Sequence, residues 1–281
     1  MTTSTEKVSK ALLVCEAAFL IISIPLILGC SDNQPANSAL SKKAPNTTQA
    51  PPAPVAENAA SGIDSIETDN YANKKLEFYY YIPSKVIDNK QKSYPVLIFV
   101  PGLSGRGENA VTAEFKRLAD QEGFIIIAPS FVFDEANWNS KTSYQYPEVW
   151  SGNALLDIIA KVKEKNALNP SKLYLHGFSA GAQFVLRFAL WKPELCAACA
   201  AHASGGTVVP DKYCNVKFMV SVGKEDTDRI AKAENFYNSA KADGIDVNYR
   251  QYEGGHVLPP AEITDCMNFF KCIYSGQDAI H

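Results

Sequence analysis

KLYLHGFSAGAQFVLRFAL, residues 172–190, reads as a buried strand, a tight turn and an apolar helix in immediate succession. Gly177 and Gly181 stand two positions either side of Ser179. Glycine at both places removes the Cβ atoms that would obstruct a sharp strand-to-helix reversal. The spacing therefore predicts a strained Ser179 projecting above the end of its strand. The helix that begins at Ala180 leaves its first N–H groups unbonded and turned toward any anion formed at the serine oxygen. The plainer reading is a turn whose serine only caps a helix.

Outward from this turn, apolar runs alternate with helical patterns. YPVLIFVPG (94–102) and FIIIAPS (124–130) are continuous apolar stretches, as expected of strands covered on both faces. LEFYYYIP precedes them, and VKFMVSVG (216–223) follows the central turn. CAACAAHAS (196–204) fits strand or helix, and the order of elements favours strand. DVNYRQYEG (246–254) alternates as an edge-lying strand does. Helices are expected near 110–121, 151–165, 180–190 and 228–243, and over PPAEITDCMNFFKCIY, which opens with proline where a missing N–H costs least. The regular alternation predicts an α/β domain with a mostly parallel sheet, helices on both faces, and no insertion large enough for a cap domain.

A serine needs a base before it can act as a nucleophile. The chain offers His176, His202, His256 and His281. His176 lies within the strand before the turn and is expected to point away from the serine. His281 is the last residue. His256, in the glycine-rich turn YEGGHVLPP after the last strand, is best placed by order; His202, at the end of the strand after the central helix, is second. An acid is needed to orient the imidazole. Glu225, Asp226 and Asp228 follow the strand ending at Gly223, and Asp226 is the choice; Asp228 fits a helix cap better. The loop Pro101-Gly102-Leu103-Ser104-Gly105 ends another buried strand. Its glycines suit it to turn a backbone N–H inward, with Leu103 as the candidate donor beside Ala180. Between Phe131 and Trp150 lies a long stretch without periodicity, from which Trp138, Tyr144 and Trp150 are candidate substrate-binding residues; packing of the loop onto the body is the equal alternative.

The four motifs GFSAG, PGLSG, GKED and GGHVLPP together resemble the α/β-hydrolase superfamily, and more narrowly small esterases of the phospholipase/carboxylesterase and polyhydroxybutyrate-depolymerase-like groups. The resemblance runs from Leu76 to about Tyr274. It implies ester hydrolysis through an acyl-enzyme on Ser179, a small-molecule or polymeric ester as substrate, and no metal or organic cofactor. Many relatives carry histidine where this chain has Pro101, which bears on the loop's shape and not on the use of backbone N–H groups. An acyltransferase or peptidase with the same residues, or a silent ligand-binding protein, are the other readings.

The chain has 281 residues, enough for one domain of ordinary size with a tail, and its net charge of −3 provides no basic field for nucleic acid. The N-terminal segment differs in kind. Lys7 and Lys10 precede an apolar run ending Ile27-Leu28-Gly29-Cys30. This order is that of an export signal, and its end resembles the lipobox of bacterial lipoproteins. The resemblance implies a signal at residues 1–29, lipid on Cys30 and a membrane-held, exported protein; an uncleaved anchor helix is the alternative. Residues 30–74, rich in Pro, Ala, Ser, Asn and Thr, are expected to form a tether, with the catalytic domain at 75–281. Of seven cysteines, Cys196, Cys199, Cys214, Cys266 and Cys272 belong to that domain, with no zinc-like spacing and no pairing fixed by sequence.

Overall fold

In the computed structural model the apolar runs become the inner strands of one eight-stranded sheet. The structure describes residues 59–68, 75–103, 105–132 and 139–276. The signal segment, Cys30, most of the tether, Ser104, Trp138 and His281 lie outside the described residues.

The strands are β1 (Ala60–Glu67), β2 (Lys75–Ile82), β3 (Ser93–Val100), β4 (Ile125–Pro129), β5 (Asn169–Phe178), β6 (Cys196–His202), β7 (Lys217–Gly223) and β8 (Val247–Tyr252). They lie in the order β1-β2-β4-β3-β5-β6-β7-β8. β4, β3, β5, β6, β7 and β8 are mutually parallel, and β1 and β2 are antiparallel additions at one edge. The helices are α1 (Ser84–Ile87), α2 (Gly107–Ala110), α3 (Ala113–Glu122), α4 (Ser151–Asn166), α5 (Ala180–Trp191), α6 (Thr227–Ala242) and α7 (Pro260–Ser275). The helix expected near 110–121 is two pieces, separated at Val111-Thr112.

Why the inner strands show no apolar–polar alternation is evident from their two faces. Val96, Ile98 and Val100 of β3, with Leu173 and Leu175 of β5, belong to one core that also contains Ile158 of α4, Phe184 and Phe188 of α5 and Phe236 of α6. Leu97 and Phe99 of β3, with Tyr174 of β5, belong to a second core with Phe115 of α3 and Phe270 of α7. Successive side chains on a strand point to opposite faces, so a strand clothed on both must be apolar throughout. α5 is apolar around nearly its whole circumference because it lies against the centre of the sheet.

Two expectations are corrected. Ala60–Glu67, read as tether, is strand β1, paired antiparallel with β2 from Ala60↔Ile82 to Glu67↔Lys75. Asp64 ties it to α4 through Lys161 at 2.9 Å and Lys165 at 2.8 Å. The hydrogen bond from Lys165 leads the effects that hold the Asp64 carboxyl well below its usual range, with Lys161 adding to it against partial burial. Apart from Ile63 and Ile66 the residues of β1 are small or polar, and pairing with β2 makes them a strand.

Tyr144 and Trp150, proposed as substrate-binding, are core residues only 1% and 3% exposed. Phe131 stacks on Tyr144 at 4.9 Å and meets Trp150 edge-on at 6.0 Å. Large apolar ring area is better used holding this irregular segment down than lining an open cleft. The Tyr144 hydroxyl is buried without a hydrogen-bond partner, so it carries a desolvation cost that nothing repays. Tyr144→Phe should therefore leave stability unchanged or raise it by up to about 1 kcal/mol in urea unfolding. It should also leave KM for an ester unaltered, whereas a raised KM would restore Tyr144 to the substrate site.

Candidate active site

The sharp turn predicted at Ser179 is present. Ser179 has φ 56° and ψ −113°, a left-handed conformation that a residue with a Cβ adopts only under constraint from its surroundings. The glycines show what that constraint requires. A Cβ on Gly181 would lie 2.0 Å from the carbonyl oxygen of Val100, and one on Gly177 would lie 2.4 Å from that of Gly181. Only glycine lets the start of α5 approach β3 and β5 closely enough to close the turn. The Ser179 N–H donates to the carbonyl of His202 at 2.9 Å, fixing the turn to the neighbouring strand β6.

Three separate stretches of chain meet above this turn. His256 Nε2 lies 2.9 Å from Ser179 Oγ, and His256 Nδ1 lies 2.7 Å from Asp226 Oδ2. An ionised carboxylate can only accept, so Nδ1–H donates to Asp226. Nε2 is then the lone-pair nitrogen, and the serine hydroxyl donates to it. His256 comes from the turn between β8 and α7, Asp226 from the turn between β7 and α6. The His256 ring rests on Phe178, centroids 4.9 Å apart, while one third of its side chain faces solvent.

Asp226 occupies the position before α6 without capping it. Its carboxylate is instead shared: Oδ2 serves His256, and Oδ1 accepts from Arg229 at 2.9 Å. Burial by itself raises its pKa, but the hydrogen bonds from His256 and Arg229 outweigh burial and leave it lowered, so the group stays ionised. Arg229 gave no signal in the sequence, because a basic residue one turn into a helix is ordinary. Glu225 and Asp228, the other acidic candidates, are exposed and are not part of the row.

The other candidates separate cleanly. His202 is fully buried and makes bonds with Ser221 and Val257, so it is not a second base. His176 is not part of the row. It lies 3.2–3.3 Å from both carboxylate oxygens of Glu262, the pair fully buried between β5 and α7. The Pro101–Leu103 loop flanks Ser179: a Cβ on Gly102 would sit 3.4 Å from Ser179 Cβ. Gly105 N–H closes a turn onto the Gly102 carbonyl at 3.0 Å, and the Leu103 side chain is half exposed. Ala180 is the first residue of α5, where no intrahelical acceptor exists for its N–H. Cys196, Cys199, Cys214, Cys266 and Cys272 are free thiols. Among the described residues no three His, Cys, Asp or Glu side chains converge as a metal site requires.

Comparison with known proteins bears on the family and the fold. Acetylxylan esterase A of Aspergillus awamori is 24% identical over 138 residues, 48% of this chain and 43% of that protein. The chain thus spans less than half the length of the curated relatives it matches. Among solved structures, an S-formylglutathione hydrolase from Agrobacterium tumefaciens superposes with a TM-score of 0.59 at 17% identity, covering 77% of this chain and 95% of that one. A poly(3-hydroxybutyrate) depolymerase from Bordetella parapertussis gives 0.56 at 17% identity, covering 78% and 90%. At such identities these structures share the fold. The profile of the dienelactone hydrolase family matches residues 81–257, more than half of the chain and every member of the Ser179–His256–Asp226 row, and the chain belongs to that family of α/β-hydrolase enzymes.

Proposed function

We propose that this enzyme cleaves carboxylic esters through a covalent acyl-enzyme on Ser179. The observation that carries the reading is the continuous hydrogen-bonded row from the Ser179 hydroxyl through His256 to Asp226, at 2.9 and 2.7 Å. His256 Nε2 takes the serine proton as Oγ attacks the ester carbonyl. The carbonyl π electrons move onto oxygen, and the N–H groups of Ala180 and Leu103 are assigned as the donors to that oxyanion. His256⁺ then protonates the departing alcohol. Water repeats the sequence on the acyl-enzyme and frees the acid. Asp226 keeps the imidazole in the Nδ1–H tautomer and stabilises the imidazolium. The match to an acetylxylan esterase supports an ester as substrate.

We further propose that the enzyme is exported and anchored to a membrane by lipid on Cys30. The support is the order of basic residues, apolar run and Leu28-Gly29-Cys30. Among the described residues no helix is long and apolar enough to cross a membrane.

Turnover of p-nitrophenyl acetate by the full chain tests the chemistry. Ser179→Ala should lose at least about 10³-fold in kcat, and Asp226→Asn about 10³–10⁴-fold, while Asp228→Asn stays near the parent. Full activity in Ser179→Ala refutes the nucleophile, and loss confined to Asp228→Asn reassigns the acid. Arg229 yields a pH prediction. Its cation withdraws charge from Asp226 and so weakens the carboxylate's hold on the imidazolium. Arg229→Gln should shift the acidic limb of kcat/KM to higher pH, by on the order of half a unit. A limb that stays in place would show that Arg229 is only a packing group. For the anchor, expression in a bacterial host fed labelled palmitate should label the parent and not Cys30→Ser; label retained by Cys30→Ser would exclude Cys30 as the acceptor.

A further inference from the structure

His202 is a fully buried imidazole that the reaction does not use. Its bonds fix its chemical state. Nε2 lies 2.8 Å from the carbonyl oxygen of Val257, which can only accept, so Nε2 carries the proton. Nδ1 is therefore the lone-pair nitrogen, and the buried Ser221 hydroxyl donates to it at 2.8 Å. Burial lowers the pKa of this ring, with Glu262 acting in the opposite direction and His176 and His256 with it; the ring is neutral.

Both ends of this residue touch the catalytic row at one remove. Its backbone carbonyl accepts the Ser179 N–H at 2.9 Å. Its ring holds Val257, the residue next to His256. Phe178 joins the two from the side, its ring 5.9 Å from that of His202 and 4.9 Å from that of His256, nearly parallel to both. Ala203 stands at φ 54° and returns its N–H to the Ser221 carbonyl at 2.8 Å, so the backbone turns just after His202 and locks it onto β7.

The turn bearing His256 has little else to hold it. Gly254 and Gly255 precede the histidine, and Val257 is 55% exposed. Glu225 N–H bonds the Gly254 carbonyl before the histidine, and the Val257 N–H is spent within the turn on Gly255. Among the described residues, the His202–Val257 bond is the hydrogen bond that ties the chain just after His256 to the sheet.

We propose that His202 is a positioning residue: one side chain and its own carbonyl set the distance between nucleophile and base by holding Val257 and Ser179 to the same point on β6. This rests on the Ser179–His256 reading given above. A carbonyl at a half-exposed turn can be satisfied by water when His202 is removed, but the position of His256 is lost. Misplacement by about 1 Å costs on the order of 10²-fold in rate.

The test compares two amides in the full chain. Glutamine carries its NH₂ about as far from the backbone as imidazole Nε2, and asparagine only as far as Nδ1. His202→Asn should lose about 10²-fold in kcat on p-nitrophenyl acetate with KM within a few-fold of the parent, and His202→Gln should recover most of that loss. Fluorophosphonate labelling of Ser179 should fall and recover in parallel. Equal loss in both variants, or none in His202→Asn, overturns the proposal. A further readout does not depend on catalysis. An imidazole ¹⁵N–¹H spectrum of the parent chain should show an Nε2–H that persists from about pH 8 to 5 and is absent from His202→Gln. Absence of that proton in the parent overturns the proposal, whereas failure of ester turnover by the parent overturns the function proposed above.

Discussion

Ser179 is held at a backbone conformation that costs of order 1–3 kcal/mol, and the rest of the molecule is arranged so that it cannot relax. α5 is pressed against the sheet by Phe184, Val185 and Phe188, all fully buried. That pressure is possible because Gly177 and Gly181 let backbone meet backbone at distances no side chain tolerates. The Ser179 N–H is then taken by β6. The serine oxygen consequently stands at the C-terminal edge of the parallel strands, where the turns after β7 and β8 also emerge, and this is where open α/β sheets gather their ligands.

The described histidines illustrate how burial and partners divide one residue type among tasks. His256 is partly exposed, has a carboxylate on one nitrogen and a hydroxyl on the other, and can gain and lose a proton. His202 is sealed between a carbonyl and a hydroxyl in a single tautomer. His176 is fully enclosed against Glu262, in contact with the rings of Phe99 and Phe115. Glu262 lies in the first turn of α7, so this buried pair fastens α7 to the strand that leads to Ser179. A buried pair of this kind adds little net stability, but loss of one partner strands the other in the core.

Much of this was legible without coordinates, for reasons that differ by element. β3, β4, β5 and β7 were clear because both faces of a central strand must be apolar. His256 and Asp226, the partners of Ser179 in the hydrogen-bonded row, were found by order along the chain, since turns after successive strands open at the same edge. β1 was missed because most of its residues are small or polar, and a neighbouring strand makes it one. Tyr144 and Trp150 were misplaced because aromatic content in an irregular segment does not distinguish packing from binding. Arg229 was invisible because its significance is a distance to Asp226, not a residue type or a spacing.

The sequence by itself determined the alternating α/β architecture, the elbow at Ser179, and His256 and Asp226 as its partners, because these follow from local backbone sterics and from strand order. Only the tertiary structure decided that His202 is a neutral tie and not a second base, that Asp226 is shared with Arg229, and that β1 extends the sheet. Each of these turns on which groups meet across tens of residues, on how deeply they are buried and on which atom donates. One-dimensional order carries no measure of separation or of exclusion from water, and those two quantities set the chemical state of an ionisable group.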